Sequence, residues 1–164
     1  MRVRAIEPRD VRGCLDLFSR VAAEGRWIAT EAPVDRREVR LRWEELLRLG
    51  DGALFLAEEG ERDPPLGLAA LVGRARPELG MLVAAASRGR GIGSALLDAC
   101  IEWARAARAP ELVLHVFPHN QAALALYRKH GFEERERLVR AYARRSGERW
   151  DAIRMVKTLT GAAP

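Results

Sequence analysis

Apolar residues alternate from Val3 to Ile6, and that period of two predicts a short strand. Val11, Cys14, Leu15, Phe18, Val21 and Ala22 then return at helical spacing. Pro8 and Asp10 ahead of them suit a first helical turn, and Gly25 closes the helix. Residues 26–34 show no period, and Pro33 breaks any continuation. Val39, Trp43, Leu46 and Leu47 form the stripe of a second helix from Asp35 to Leu49, which turns at Gly50-Asp51-Gly52. Residues 53–57 and 66–72 read as paired strands around a polar, proline-containing loop, 58–65. After a turn at 73–77, Met81, Leu82 and Val83 form the next apolar run. From Ile92, the residues Leu96, Leu97, Cys100, Ile101 and Ala104 repeat at helical spacing until about Ala107. Residues 112–116 read as a buried strand and 120–130 as a helix, capped by Asn120 and closed by Gly131. Strands at 132–138 and 151–158 flank the charged turn Arg144-Arg145-Ser146-Gly147. With no linker and no repeat, the pattern predicts one α+β domain over residues 1–160 and a tail at 161–164.

Composition narrows the class. The chain has 164 residues, 48% hydrophobic and 31% charged, which is a globular balance. No apolar run approaches the ~20 residues of a membrane helix, so a membrane partner is not expected. Cys14 and Cys100 fall on apolar helical positions, as expected of reduced thiols in a cytoplasmic protein. The net charge of +5 comes almost wholly from arginine. Those arginines are interleaved with acids, as in Glu133-Glu134-Arg135-Glu136-Arg137, and no nucleic-acid motif accompanies them. Nucleic acid is therefore not the expected partner. His115, His119 and His130 have no metal-ligand spacing with either cysteine, so no metal is expected.

The densest chemistry lies between Leu79 and Ala104. Arg88, Gly89, Arg90, Gly91, Ile92, Gly93 and Ser94 lead from a strand into a helix. Glycines there leave backbone N–H groups uncovered, and the helix start adds unpaired amides and a positive dipole end. The result is an anion cradle suited to a diphosphate. A P-loop is excluded because the required lysine is absent, and the dinucleotide fingerprint fails at Ser94.

The spacing Arg88-x-x-Gly91-x-Gly93 resembles the acyl-CoA signature of the GCN5-related N-acetyltransferases (GNAT). A second stretch resembles the same family: Asn120, Ala123, Leu126, Tyr127, Gly131 and Phe132, after an intervening helix and strand. The order of elements over residues 1–160 is also similar. This resemblance implies a GNAT-like acyl-CoA N-acyltransferase fold, a mostly antiparallel twisted sheet of about six or seven strands with about four helices. It implies an enzyme that moves acetyl from acetyl-CoA directly to a primary amine of a small molecule or of a protein or peptide. A homodimer is compatible with it. A CoA-binding module without catalysis is the alternative.

Residue roles follow from that resemblance. Met81, Leu82, Val83, the loop from Arg88 to Ser94, Asn120, Ala123 and Tyr127 would hold the cofactor. In the family the strand before the loop is bulged, which admits pantetheine as a further strand. Backbone amides near Leu82 and Val83 would then bind the thioester oxygen. Tyr127 is either a core aromatic or the acid that protonates the departing thiolate, and Asn120 is a helix cap, a cofactor ligand, or both. His115 occupies a place where ribosomal-protein alanine acetyltransferases carry a glutamate base. An imidazole can take a proton at neutral pH, but a histidine on an apolar strand can also be structural. Glu78 is the other candidate base. Between the first two helices, Glu24, Trp27 and Glu31 are the candidate acceptor pocket, with Asp151 near it; Trp27 in the core and acids on the surface is the plainer reading.

Overall fold

The computed structural model describes residues 1–61 and 63–159, so the expected tail at 161–164 lies outside the described residues. The opening alternation becomes β1 (Arg2–Ala5), and a 3-10 turn at Pro8–Asp10 leads into α1 (Val11–Ala23). Next comes α2 (Arg36–Leu49), begun by Asp35, whose side chain accepts from the Glu38 amide. The chain continues through β2 (Gly52–Glu58), β3 (Gly67–Val72), β4 (Glu78–Val83), α3 (Ile92–Ala106) and β5 (Glu111–Val116). It closes with α4 (Gln121–Lys129), β6 (Glu133–Ala143) and β7 (Arg149–Thr158).

Seven strands make one sheet in the order β1-β2-β3-β4-β5-β7-β6. Every pairing is antiparallel except β4 with β5. With four α-helices, this is the α+β architecture the pattern predicted. One face of the sheet packs on α3 and α4 through Leu79, Leu96, Leu97, Leu112, Leu114 and Met155. The other face packs on α1 and α2 through Leu17, Val21, Trp43, Leu54, Leu56 and Leu82.

Most boundaries fall within a residue of the pattern, and three places show why the rest differ. β6 runs on to Ala143 instead of ending at Leu138, because register shifts at Glu134/Glu136 and Leu138/Tyr142 scramble its alternation. Arg140 lies at the second shift with φ of 52°. β7 begins at Arg149, two residues early. Glu58, expected in a polar loop, ends β2 and is 2% exposed. Its carboxylate is taken up by Arg2 at 2.7 Å and Arg4 at 2.9 Å, which makes such burial tolerable.

The feature that positions the site is the meeting of β4 with β5. Their ladder holds only Glu78↔Val113 and Leu79↔Leu114, whereas β3 pairs with β4 without interruption from Glu78 to Val83. The two strands therefore diverge beyond Leu79. No register shift interrupts β4, so the opening arises from the lost β5 partner and not from the bulge expected above. The Pro77 carbonyl accepts from the Val113 amide at 3.0 Å. Alternation then turns the backbone groups of Leu79, Met81 and Val83 toward β5, and those of Met81 and Val83 reach past the end of the ladder. Leu82, one step out of phase, directs its backbone toward β3.

Candidate active site

A cavity of about 720 Å³ opens at this divergence. Its walls come from β4, the glycine loop, the starts of α3 and α4, the end of β5 and residues 27–29. The size suits a cofactor-scale ligand.

The loop end of the cavity is a cradle of amides. Gly91 stands at the N-cap of α3 with φ of 79°, a left-handed conformation that costs glycine nothing. The first helical bond there runs from the Ala95 amide to the Gly91 carbonyl, 3.1 Å, so the amides of Ile92, Gly93 and Ser94 have no helical partner. A Cβ on Gly93 would come within 2.9 Å of the Leu126 methyl. Arg88, Gly89, Gly91, Ile92, Gly93 and Ser94 all line the cavity, whereas Arg90 does not; it pairs with Glu59 at 2.5 Å. Unpaired amides, a helix start and close backbone approach fit a diphosphate. Across from them Asn120 accepts from the Ala123 amide at 3.3 Å while also lining the cavity, as does Ala123.

Tyr127 projects from α4 into the same space and is 6% exposed. Burial, with Cys100 nearby, pushes its phenol well above the ordinary range, so it keeps its proton at any working pH. Met81, Leu82 and Val83 line the cavity as well.

At the far end lie both candidate bases. Glu78 and His115 line the cavity together, with Glu78 Oε1 3.6 Å from His115 Nδ1. The Tyr142 hydroxyl is 3.1 Å from the same nitrogen. Burial first, then Glu78, raises the Tyr142 pKa, so it too stays protonated. Nδ1 thus faces both groups, while Nε2 has no hydrogen-bond partner among the described residues.

The expected acceptor residues separate. Trp27, with Ile28 and Ala29, lines the cavity; Glu24, Glu31 and Asp151 do not. Glu24 receives Arg88 at 2.7 and 2.8 Å and the Trp27 indole N–H at 2.7 Å. Arg88, and secondarily Trp27, holds its carboxyl below the usual range against the effect of burial. Arg88 also donates to the Val83 carbonyl at 3.2 Å, so it ties the glycine loop to the end of β4 and, through Glu24, to the end of α1. Glu31 accepts from the Arg145 amide at 2.8 Å, and Asp151 is occupied by Arg137 and the Arg140 amide.

Residues not anticipated complete this wall. Arg144, its side chain 1% exposed, donates to the carbonyls of Gly25 (3.2 Å), Ile28 (3.3 Å) and Ala29 (2.9 Å). Its guanidinium lies 4.3 Å from the Trp150 ring centroid and 5.4 Å from that of Phe117. A ring nitrogen of His119 is 2.7 Å from the Arg26 carbonyl. The segment between α1 and α2 is thus bound to the β6–β7 hairpin. The aromatic residues Tyr142 and Trp150, bracketing the charged turn, were the one signal in the sequence. Among the described residues no group of three or more His, Cys, Asp or Glu could hold a metal ion.

Residues 20–132 match the Acetyltransferase (GNAT) family. Over 157 residues the chain is 27% identical to YwnH of Bacillus subtilis (strain 168), described as a putative phosphinothricin acetyltransferase; the match covers 92% of this chain and 94% of the relative. The crystal structure of a ribosomal-protein-alanine N-acetyltransferase from Brucella melitensis superposes with a TM-score of 0.87 at 28% identity, covering 97% of this chain and all of that one. A phosphinothricin acetyltransferase from Sinorhizobium meliloti, solved with AcCoA, has the same fold with a TM-score of 0.85 at 22% identity, covering 99% of this chain and 92% of that one.

Proposed function

The chain belongs to the GNAT family of acetyltransferases, and from that premise we propose that its cleft acetylates a primary amine of a small molecule or a peptide. The observation that carries this reading is the divergence of β4 from β5, which ends on unpaired amides at the start of α3.

The amides of Gly89 to Ser94 hold the cofactor's diphosphate. The backbone groups of Met81 and Val83 take the place of a missing strand partner for the pantetheine, with an N–H placed for the thioester oxygen. Acetyl-CoA, when bound, supplies an acetyl thioester open to attack by an amine. His115 takes the acceptor's proton at Nε2, with Nδ1 facing Glu78 and Tyr142. Tyr127 holds a proton at Oη for the leaving sulfur. Neither cysteine is placed for an acyl-enzyme: both are buried, and burial pushes each thiol up to about 12. Such buried thiols also suit a reducing cytoplasmic setting.

The test is an incubation with acetyl-CoA and a panel of polyamines, amino acids and an alanine-headed peptide. Amine-dependent thiol release should appear, with a product heavier by one acetyl group. Binding of acetyl-CoA with no acetylated product from any amine would instead describe a CoA-binding module.

A further inference from the structure

Glu24 is the C-cap residue of α1, and Gly25 follows it with φ of 64°. That left-handed step, open to glycine without strain, turns the chain so that the Trp27 indole N–H donates to the Glu24 carboxylate at 2.7 Å. The same carboxylate receives both terminal nitrogens of Arg88, Nη1 at 2.8 Å and Nη2 at 2.7 Å, from 64 residues away. Such a bidentate pairing is directional as well as strong. Glu24 itself lies outside the cavity, whereas Trp27 and Arg88 both line it.

Those two partners lead in different directions. Arg88 opens the glycine loop; its guanidinium is taken up by Glu24 and the Val83 carbonyl, which leaves the anion cradle to the loop's amides. Trp27 begins a file of rings along the cavity wall. Its ring centroid is 6.1 Å from that of His119, His119 stacks on Phe117 at 5.5 Å, and Phe117 meets Tyr142 at 5.4 Å. The Tyr142 hydroxyl is in turn 3.1 Å from His115, the candidate base. An indole has a single polar atom, a donor, so one acceptor at its edge fixes how the ring is turned. The guanidinium carbons of Arg26 and Arg88, 4.7 and 5.6 Å from the ring centroid, add to that hold. Arg144 bonds the carbonyls of this segment, but the Trp27 N–H is bonded by Glu24.

We propose that Glu24 is a positioning residue for acetyl transfer: it fixes the Trp27 ring as a wall of the acceptor end and, through Arg88, ties that wall to the cofactor loop. The acceptor then meets a surface set before it arrives, and loses less freedom on binding than the same groups would cost if loose. A change of the Arg88 side chain, on the cofactor loop, is felt by the acceptor. This rests on the acetyltransferase reading above and holds whichever amine is the acceptor.

The test measures initial rates at saturating acetyl-CoA with the amine of the panel above that the wild type turns over best. It compares wild type, Glu24→Ala, Trp27→Phe, the double variant of these two, and Arg88→Gln, while calorimetry follows acetyl-CoA binding. Glu24→Ala should raise acceptor KM roughly 10-fold or more, the scale of hydrogen bonds to a charged group, with kcat and acetyl-CoA affinity nearly unchanged. Trp27→Phe keeps a ring but loses the N–H, and should raise acceptor KM alike. The double variant should be no worse than the poorer single one, because Glu24 acts through the indole. Arg88→Gln should also raise acceptor KM, although Arg88 belongs to the cofactor loop. Glu24→Gln, which keeps an acceptor for the indole, should recover part of the loss and takes the place of Glu24→Ala if that variant does not fold. Acceptor KM unchanged in Glu24→Ala or in Arg88→Gln, or effects of Glu24→Ala and Trp27→Phe that add, overturns the proposal and leaves acetyl transfer in place. A wild type that binds acetyl-CoA and acetylates no amine overturns the transfer reading, and the proposal with it.

Discussion

The roles proposed for Tyr127 and His115 have opposite requirements. A phenol whose pKa is raised by burial cannot act as a base, but it can hold a proton beside a departing sulfur. Tyr127→Phe should therefore lower turnover by roughly 10- to 1000-fold while calorimetry finds acetyl-CoA affinity unaltered. Equal turnover in the variant would reduce Tyr127 to a packing residue beside Phe132. A base must accept the acceptor's proton, so His115→Ala should lower turnover at limiting acceptor by roughly 100- to 10,000-fold with acetyl-CoA affinity unaltered. Unchanged turnover in the variant transfers the role to Glu78 or to water. Tyr127 and Asn120 were legible because their motif is local, contained within one helix and its cap. Tyr142 was not, since its meeting with His115 depends on β7 pairing with both β5 and β6, and the register shifts in β6 hide that from any count along the chain.

The segment between α1 and α2 has no periodicity because nothing regular holds it; its carbonyls are bonded by side chains from elsewhere. Arg144→Met would keep the stem beside Trp150 and Phe117 but remove the donors to Gly25, Ile28 and Ala29. Lost hydrogen bonds to a charged donor predict a stability loss of about 2–3 kcal/mol in urea unfolding. Hydrogen exchange should quicken at amides 25–31, and acceptor KM should rise with acetyl-CoA affinity unchanged. Slow exchange at those amides in a folded Arg144→Met would show that the segment holds itself. Glu24 and Glu31, expected at the acceptor pocket, do not line the cavity for a related reason. Sequence spacing placed them near the site, but Arg88 and the Arg145 amide had already engaged them.

Across the whole molecule, the order of elements and the apolar faces that build the core were legible as period-two and period-3.6 patterns, whereas the strand order was not. The exception at the sheet's edge is Glu58, whose burial depends on Arg2 and Arg4, the latter also binding Asp10 at 2.6 Å. Arg4 holds both carboxyls below the usual range, aided at Glu58 by Arg2 and at Asp10 by the Glu7 amide, and opposed at both by burial. Depressed carboxyls contribute stability that is present above their unfolded values near pH 4 and is lost as pH falls through the folded ones. The thermal midpoint should therefore drop on acidification below about pH 4, and Arg4→Met should lower it at pH 7 and flatten that drop. A variant with the wild-type acid profile would contradict this. If the diverging strands and the glycine loop bind acetyl-CoA for transfer, calorimetric titration of acetyl-CoA into wild type, Gly93→Ala and Gly93→Asp will read it. The alanine variant separates crowding against Leu126 from the effect of charge. The account predicts one site in the wild type and an affinity loss on the order of tenfold or more in a folded Gly93→Asp, beyond that in Gly93→Ala; acetyl-CoA affinity equal in all three proteins, or absent from the wild type, would contradict it.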